Sequence, residues 1–490
     1  MKRAVCEGLA LVLGLAVAGH ALVTRVLERQ VPAHLAAWRS AARQTGGERI
    51  GVLAAVPAHP TPVERARLIA TSWEIMPRRV QAVAVEDGFA ELLVSSFLDP
   101  SDGAHLTACG YRPAFSNEFA TVWARGAVEP GLSAPSTARE PSLWREVLAI
   151  ATVLGALVLW WRGFNRRLAR PVTRLQALCA LGVFVALATV TVVHPLLPPN
   201  GLGVYGGKAK LLYLLHGLPA DFWTSRDFAV FQRAYPPGLA LLAWLVDTLA
   251  GGCGERLVQL LVPAALALVL LEFAVEGASR RALAAASLVV LSPVAFALAA
   301  GFYAEPFAAL CLVCGLHAVK HACRVGGALL AGGAAVFRLE GGLLAMVFVA
   351  LLMWPRLRCC RGTIVLAAAG LPMLVWQLVC RLTGAQLEDL GFAWLPDVGR
   401  CGVFAAALGI GVLRFWVTGS AALLFLGSGR RLRTAWSGGL LILAACAVLA
   451  GYHHSPHFTW VADTYAPRLV WMTLAGICAC ARKGTEWTTC

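Results

Sequence analysis

Apolar runs of about 20 residues, the length a helix needs to cross about 30 Å of hydrocarbon, recur along most of this chain. They lie near 5–24, 145–161, 176–193, 236–250, 257–275, 283–300, 302–319, 326–353, 362–380, 402–427, 437–452 and 466–481. With 58% apolar and only 14% charged residues among 490, the composition does not suit a soluble domain of this size. The expected fold class is therefore an all-α polytopic membrane protein of about 11–13 transmembrane helices. The runs at 326–353 and 402–427 are longer than one span needs, so either is a candidate for a kinked or doubled helix.

The net charge of +15 is carried by short clusters that flank the apolar runs, a topology signal rather than a nucleic-acid footprint. Lys2 and Arg3 precede the first run, and Arg162, Arg166, Arg167, Arg170 and Arg174 fill the next link. Arg356, Arg358 and Arg361, then Arg430, Arg431 and Arg433, then Arg482 and Lys483 repeat the pattern. All of them are expected on the cytoplasmic side, and no nucleic-acid partner is expected. Residues 1–26 read as an uncleaved membrane anchor in preference to a signal peptide, because Leu9 to Val23 lacks a clear small-x-small cleavage site.

Residues 27–143 have near-soluble polarity and read as a small extracytoplasmic α/β domain with its tether. Strands are expected over Arg49–Val56, Val80–Val85, Ala90–Ser95 and Phe119–Trp123, and a helix over Pro62–Ser72. The Pro- and Ser-rich stretch 129–142 is the tether to a multi-span unit over 144–490. Two roles stand for the domain, a lid or acceptor-recruiting element and a folded spacer. Most of the fifteen cysteines lie inside apolar runs, including the Cys311–Cys314 pair, and Cys109 stands alone in the soluble part. Core packing explains the former, and neither disulfides nor zinc follow.

The long polar interruption is the external loop 194–235. If the Arg162–Arg174 cluster is cytoplasmic, the run ending at Val193 carries His194 to the outer surface. Lys208 to Gly217 has an amphipathic pattern suited to lying on membrane lipid, and Tyr235-Pro236-Pro237 restarts a membrane helix with Pro in its first turn. Counting one crossing per run after 236 would put Arg280 and Arg281 outside, against the charge rule. One of the runs 236–250 or 257–275 is therefore expected to be short, paired or re-entrant.

Three polar interruptions stand inside apolar surroundings: Glu305, the Arg338–Glu340 pair, and Arg468. A charge near the bilayer centre costs on the order of 3 kcal/mol, so such groups face a cavity, pair with one another, or snorkel to the interface. Arg338 and Glu340 are two apart and would not share a helix face. His453, His454 and His457, in a Ser-Pro turn, read as a hydrated loop rather than a ligand set.

Four signals in order, Lys208-Ala209-Lys210, Tyr235-Pro236-Pro237, Gly301-Phe302-Tyr303-Ala304-Glu305-Pro306 and Arg338-Leu339-Glu340-Gly341, resemble those of the C-type membrane glycosyltransferases. Over roughly 176–470 the chain looks like bacterial relatives of dolichyl-phosphate-mannose protein mannosyltransferases and of aminoarabinose transferases. Pro77-Arg78-Arg79-Val80 is the closest match to the domain that precedes the core in some bacterial members. The resemblance implies a multi-pass protein of the bacterial inner membrane that moves a sugar from a polyprenyl-phosphate carrier to an extracytoplasmic lipid, glycan or protein. It implies Lys208, Lys210, Arg338 and Arg468 as phosphate contacts and Tyr235, Tyr303 and Glu340 as substrate contacts. No cofactor is implied, and no ligand spacing supports a divalent cation. The family usually places its catalytic Asp about eight residues before the Lys-Ala-Lys segment, where it serves as general base. Here that position falls on or near Asn200, and an amide accepts no proton. The base then comes from Asp221, Asp227 or Glu305, or the chain keeps the fold as an inactive scaffold or transporter for lipid-linked glycans.

Overall fold

The computed structural model describes residues 49–53, 79–83, 91–95, 100–116, 120–125, 173–193, 200–215, 217–219, 221–225, 228, 231–249, 258–277, 280–321, 324–354, 360–385, 391–392, 397–414, 430–450, 453–454 and 458–481. It also describes positions 6, 9–10, 12–13, 15–20, 38, 41–42, 44–45, 67, 71 and 87. The described chain is mostly helical, with one small sheet near the N-terminus.

The sheet comprises β1 (Arg49–Leu53), β2 (Arg79–Val83), β3 (Glu91–Ser95), β4 (Tyr111–Ser116) and β5 (Ala120–Arg125), with α1 (Pro100–Ala108) between β3 and β4. Strand order is β2-β1-β3-β5-β4. β1 is parallel to β2 and β3, and β5 is antiparallel to β3 and β4. Leu92 and Val94 from β3, Leu106 from α1 and Tyr111 from β4 form its core. The four strands expected from sequence lie where β1, β2, β3 and β5 are found. β4 escapes the pattern because it contains Pro113 and a register shift between Pro113 and Phe115, which break the period of two. Most of the expected 62–72 helix, the 129–142 tether and the 145–161 run lie outside the described residues.

The helices are α2 (Arg174–Val193), α3 (Lys208–Leu215), α4 (Gly238–Leu249), α5 (Leu261–Gly277), α6 (Arg280–Val290), α7 (Pro293–Ala300) and α8 (Glu305–Lys320). They continue with α9 (Arg324–Gly332), α10 (Leu339–Met353), α11 (Cys360–Thr383), α12 (Val398–Arg414), α13 (Arg430–Ala450) and α14 (Phe458–Ala481). A π-helical segment, Asn200–Gly207, leads into α3. β6 (Gly391–Phe392) pairs antiparallel with β7 (His453–His454), so two of the three histidines expected in a loop sit in a short strand; His457 lies outside the described residues.

Among the described residues two helices, over Arg174–Thr191 and Cys360–Thr383, are long and apolar enough to cross a membrane. A third candidate is the α6–α7 pair, bent by 51°. Both long helices present apolar side chains outward, Leu178, Leu181 and Val185 on α2 and Leu371, Leu374 and Leu378 on α11. The count of 11–13 expected from apolar runs exceeds this count over the described residues: several runs form helices shorter than about 20 residues, and others, such as 145–161, lie outside the described residues. Run 236–250 yields the 12 residues of α4. Run 283–300 breaks where Ser292 accepts a hydrogen bond from the Ala295 N–H at 3.4 Å and Pro293 opens α7. The sequence expected one of the runs 236–250 or 257–275 to be short, paired or re-entrant; the helix in 236–250 is short, and the bent pair lies in 283–300. Run 326–353 also divides: a 3-10 turn over Gly333–Val336 follows α9, and Arg338 stands in extended backbone, φ −149° and ψ 126°, before α10.

α8 lies at the centre of the bundle and packs against α5, α9, α10 and α14. Its Leu312, Val313 and Leu316 are buried, as is Cys314, while Cys311 is half-buried. A Cβ on Gly315 would overlap the backbone of Ala331, so α8 and α9 meet at a distance only a glycine permits. This fixes α8, and with it the segment that carries Glu305.

Candidate functional site

Glu305 opens α8, in a first turn that Pro306 pre-sets for helix. The chain reaches it through a tight reversal. Phe302 has φ 52°, a left-handed conformation uncommon outside glycine, and a Cβ on Gly301 would collide with the Tyr303 ring. The backbone strain holds Tyr303 beside the start of the helix. Phe302 itself is buried in the bundle core.

Arg338 and Arg468 converge on Glu305 from two other elements. Arg468, in α14, donates from Nη1 to Glu305 Oε1 at 3.1 Å. Arg338 Nε lies 3.4 Å from the same oxygen and 3.5 Å from Glu340 Oε2. Because Arg338 precedes α10 in extended backbone, the rule that i and i+2 leave a helix on different faces does not apply to it. The charges thus alternate along a chain of contacts, Glu340, Arg338, Glu305, Arg468, and sum to zero.

Tyrosines wall this array. The Arg338 guanidinium lies 5.3 Å from the Tyr235 ring centre and 4.9 Å from that of Tyr465. Arg468 lies 4.3 Å over Tyr303 and 5.6 Å from Tyr465. Each such contact stabilises a guanidinium by about 0.5–2 kcal/mol, more where water is excluded. Tyr205, fully buried in the loop, sits beside Arg338, and burial pushes its hydroxyl pKa up against the pull of that arginine. Tyr205 and Tyr465 were not singled out from sequence. Tyr465 carried a signal, since it precedes Arg468 by three and shares its helix face.

Exposure divides the charged groups. The Glu305 side chain is 0% exposed and Arg338 4%, whereas Arg468 is 12% and Glu340 31% exposed. Glu305 Oε2 is buried without a hydrogen-bond partner among the described residues. Glu340 and the edge of Arg468 are therefore the most exposed parts of the array.

Of the loop residues expected at the site, Lys208 is tied to backbone carbonyls. Lys208 is buried, and its ammonium donates to the backbone carbonyls of Gln232 at 2.9 Å and Tyr235 at 3.1 Å. Burial pushes its pKa from 10.5 down to about 7. Gln232 itself has φ 48°, so the lysine secures a strained turn just before Tyr235. Lys210 is half-buried on α3. Asp221 begins a turn in which its carbonyl accepts from the N–H groups of Thr224 and Ser225. The next residue, Phe222, packs with Leu211, Phe228 and Phe231 into the loop's own apolar cluster. Asp227 and the side chain of Asn200 lie outside the described residues.

The structure therefore joins Glu305, Arg338, Glu340, Arg468, Tyr235 and Tyr303, while Lys208 supports the wall from behind. No protein family, curated protein or solved structure matches this chain.

Proposed function

We propose that this protein is a multi-pass, all-α membrane glycosyltransferase of the C type, carrying a small extracytoplasmic α/β domain and residing in the bacterial inner membrane. It would move a sugar from a polyprenyl-phosphate carrier to an acceptor in the cell envelope. The observation that carries the reading is the convergence of Glu305, Arg338 and Arg468 from three separate elements, with Glu340 at their open edge. A departing lipid phosphate needs fixed cations to offset its charge, and an acceptor hydroxyl needs a carboxylate. Both kinds of group are present within a few ångströms of one another. The partly exposed Arg468 is the cation best placed to meet phosphate.

The test uses the full-length protein in lipid nanodiscs. Binding of radiolabelled undecaprenyl phosphate is measured alongside transfer from undecaprenyl-phosphate hexoses to an envelope lipid and glycan extract. Arg468→Ala is expected to weaken undecaprenyl-phosphate binding by about tenfold or more, the range of one charged hydrogen bond. Binding without transfer would favour the scaffold or transporter, and no binding at all would overturn both readings.

A further inference from the structure

Glu305 and Glu340 flank the same guanidinium, yet only one of them can meet a substrate. Glu305 is fully buried, and its Oε1 is shared between Arg468 and Arg338. Its contact with both arginines makes it their counter-ion, and a side chain that is 0% exposed offers an acceptor no surface to touch. Glu340 has 31% of its side chain exposed, contacts Arg338 through one oxygen at 3.5 Å, and lies beside the Tyr465 phenol. It stands in the first turn of α10, just after the extended residue Arg338, so a rigid helix aims it.

We infer that Glu340 is the catalytic base of this chain and that Glu305 is a positioning residue that holds Arg338 and Arg468. The inference rests on the transferase reading above. In the step, the acceptor O–H gives its proton to the Glu340 carboxylate, and the freed oxygen lone pair forms the bond to the anomeric carbon. The bond from that carbon to the phosphate oxygen breaks, and its electron pair leaves on the polyprenyl phosphate, which faces Arg468. The two functions fall at opposite ends of the contact chain, base at Glu340 and leaving-group cation at Arg468. This separation suits attack and departure on opposite faces of the anomeric carbon.

The experiment compares Glu340→Gln, Glu340→Ala, Glu305→Gln, Asp221→Asn and Asp227→Asn with the wild type in nanodiscs. Two quantities are read, Kd for labelled undecaprenyl phosphate and transfer from undecaprenyl-phosphate hexoses to the envelope extract. Glu340→Gln is expected to keep its Kd within about twofold and to lose transfer by about 100-fold or more, the scale of a missing general base. Sodium formate, a diffusible carboxylate, is expected to restore part of the transfer to Glu340→Ala, which a structural role would not allow. Glu305→Gln is expected to weaken binding and transfer together. Transfer by Glu340→Gln within about threefold of wild type would overturn the assignment, as would a selective loss in Asp221→Asn or Asp227→Asn. A wild type that binds undecaprenyl phosphate and transfers nothing would instead overturn the transferase reading, and the base with it.

Discussion

Helix α8 carries a buried ionisable group toward each end, and the two ends solve the problem of burial differently. At its start, Glu305 sits among two arginines, a second glutamate and a wall of tyrosines. About 18 Å further along the axis, at 1.5 Å per residue, His317 Nδ1 lies 2.8 Å from Glu272 Oε1 of α5, with both side chains almost fully buried. Phe273 presents its ring to the imidazole, and nearby Lys320 donates to the Ala479 carbonyl of α14. Burial and charge are common to both ends, so neither marks a site by itself. What differs is access. The Glu272–His317 pair joins two helices with neither side chain more than 8% exposed, whereas the Glu305 array ends in Arg468 at 12% and Glu340 at 31%.

The largest effect expected from breaking this contrast is that of Glu305→Gln. It leaves two arginines, one of them 4% exposed, without their shared counter-charge. Removing one member of a buried ion pair costs about 3–5 kcal/mol. Thermal unfolding in nanodiscs is expected to show a large drop in midpoint. A drop no greater than that of an exposed-site control would mean that Glu305 does not organise the array.

A smaller effect is expected at the other end. Glu272→Leu and His317→Leu each strand one buried polar group, at about 1–3 kcal/mol. The double variant replaces both and is expected to recover part of the loss, because neither side chain of the pair then strands the other. Undecaprenyl-phosphate binding should stay at wild-type level in the double variant. If binding falls in step with the Glu305 variant, the two ends are not separate devices.

How far each end was legible in the sequence follows from what burial does to a pattern. Glu305, Arg338 and Arg468 stood out because each interrupts an apolar run, and a charge in such a place needs a partner. The sheet was legible in four of its five strands for the same kind of reason, a period of two. The link between Arg338 and Glu340 was hidden, since it depends on Arg338 leaving helical geometry after a 3-10 turn, and local spacing predicts the opposite. Glu272 and His317 were passed over because they are 45 residues apart, and neither carries a motif. The role of Lys208 was hidden too. A lysine in an amphipathic helix reads as solvent-facing, and only the tertiary fold turns it inward to two carbonyls.

That lysine gives the smallest expected effect and tests how the wall of the site is held. Lys208 spans from α3 to the carbonyls of Gln232 and Tyr235, and Tyr235 in turn faces Arg338. A neutral amine keeps two N–H groups, enough for both carbonyls, so loss of the proton relieves buried charge without breaking either bond. The pKa of about 7 in the folded protein lies below the ordinary 10.5. Below 7 the lysine is protonated whether folded or unfolded, and the folded state bears the full cost of burying the ammonium. Between these values the unfolded chain binds the extra proton at this lysine, so its contribution to stability rises with pH through that window and levels off above it. Local opening that hydrates the ammonium limits the rise to the free energy of that opening, which in a surface loop is smaller than the losses expected at either end of α8. Across the window the wild-type melting midpoint is expected to climb relative to that of Lys208→Met, in which the other titrating groups remain and this lysine's contribution is gone. Equal slopes in the two proteins would show that the ammonium is solvated in the folded state and that Tyr235 is held over Arg338 by other contacts.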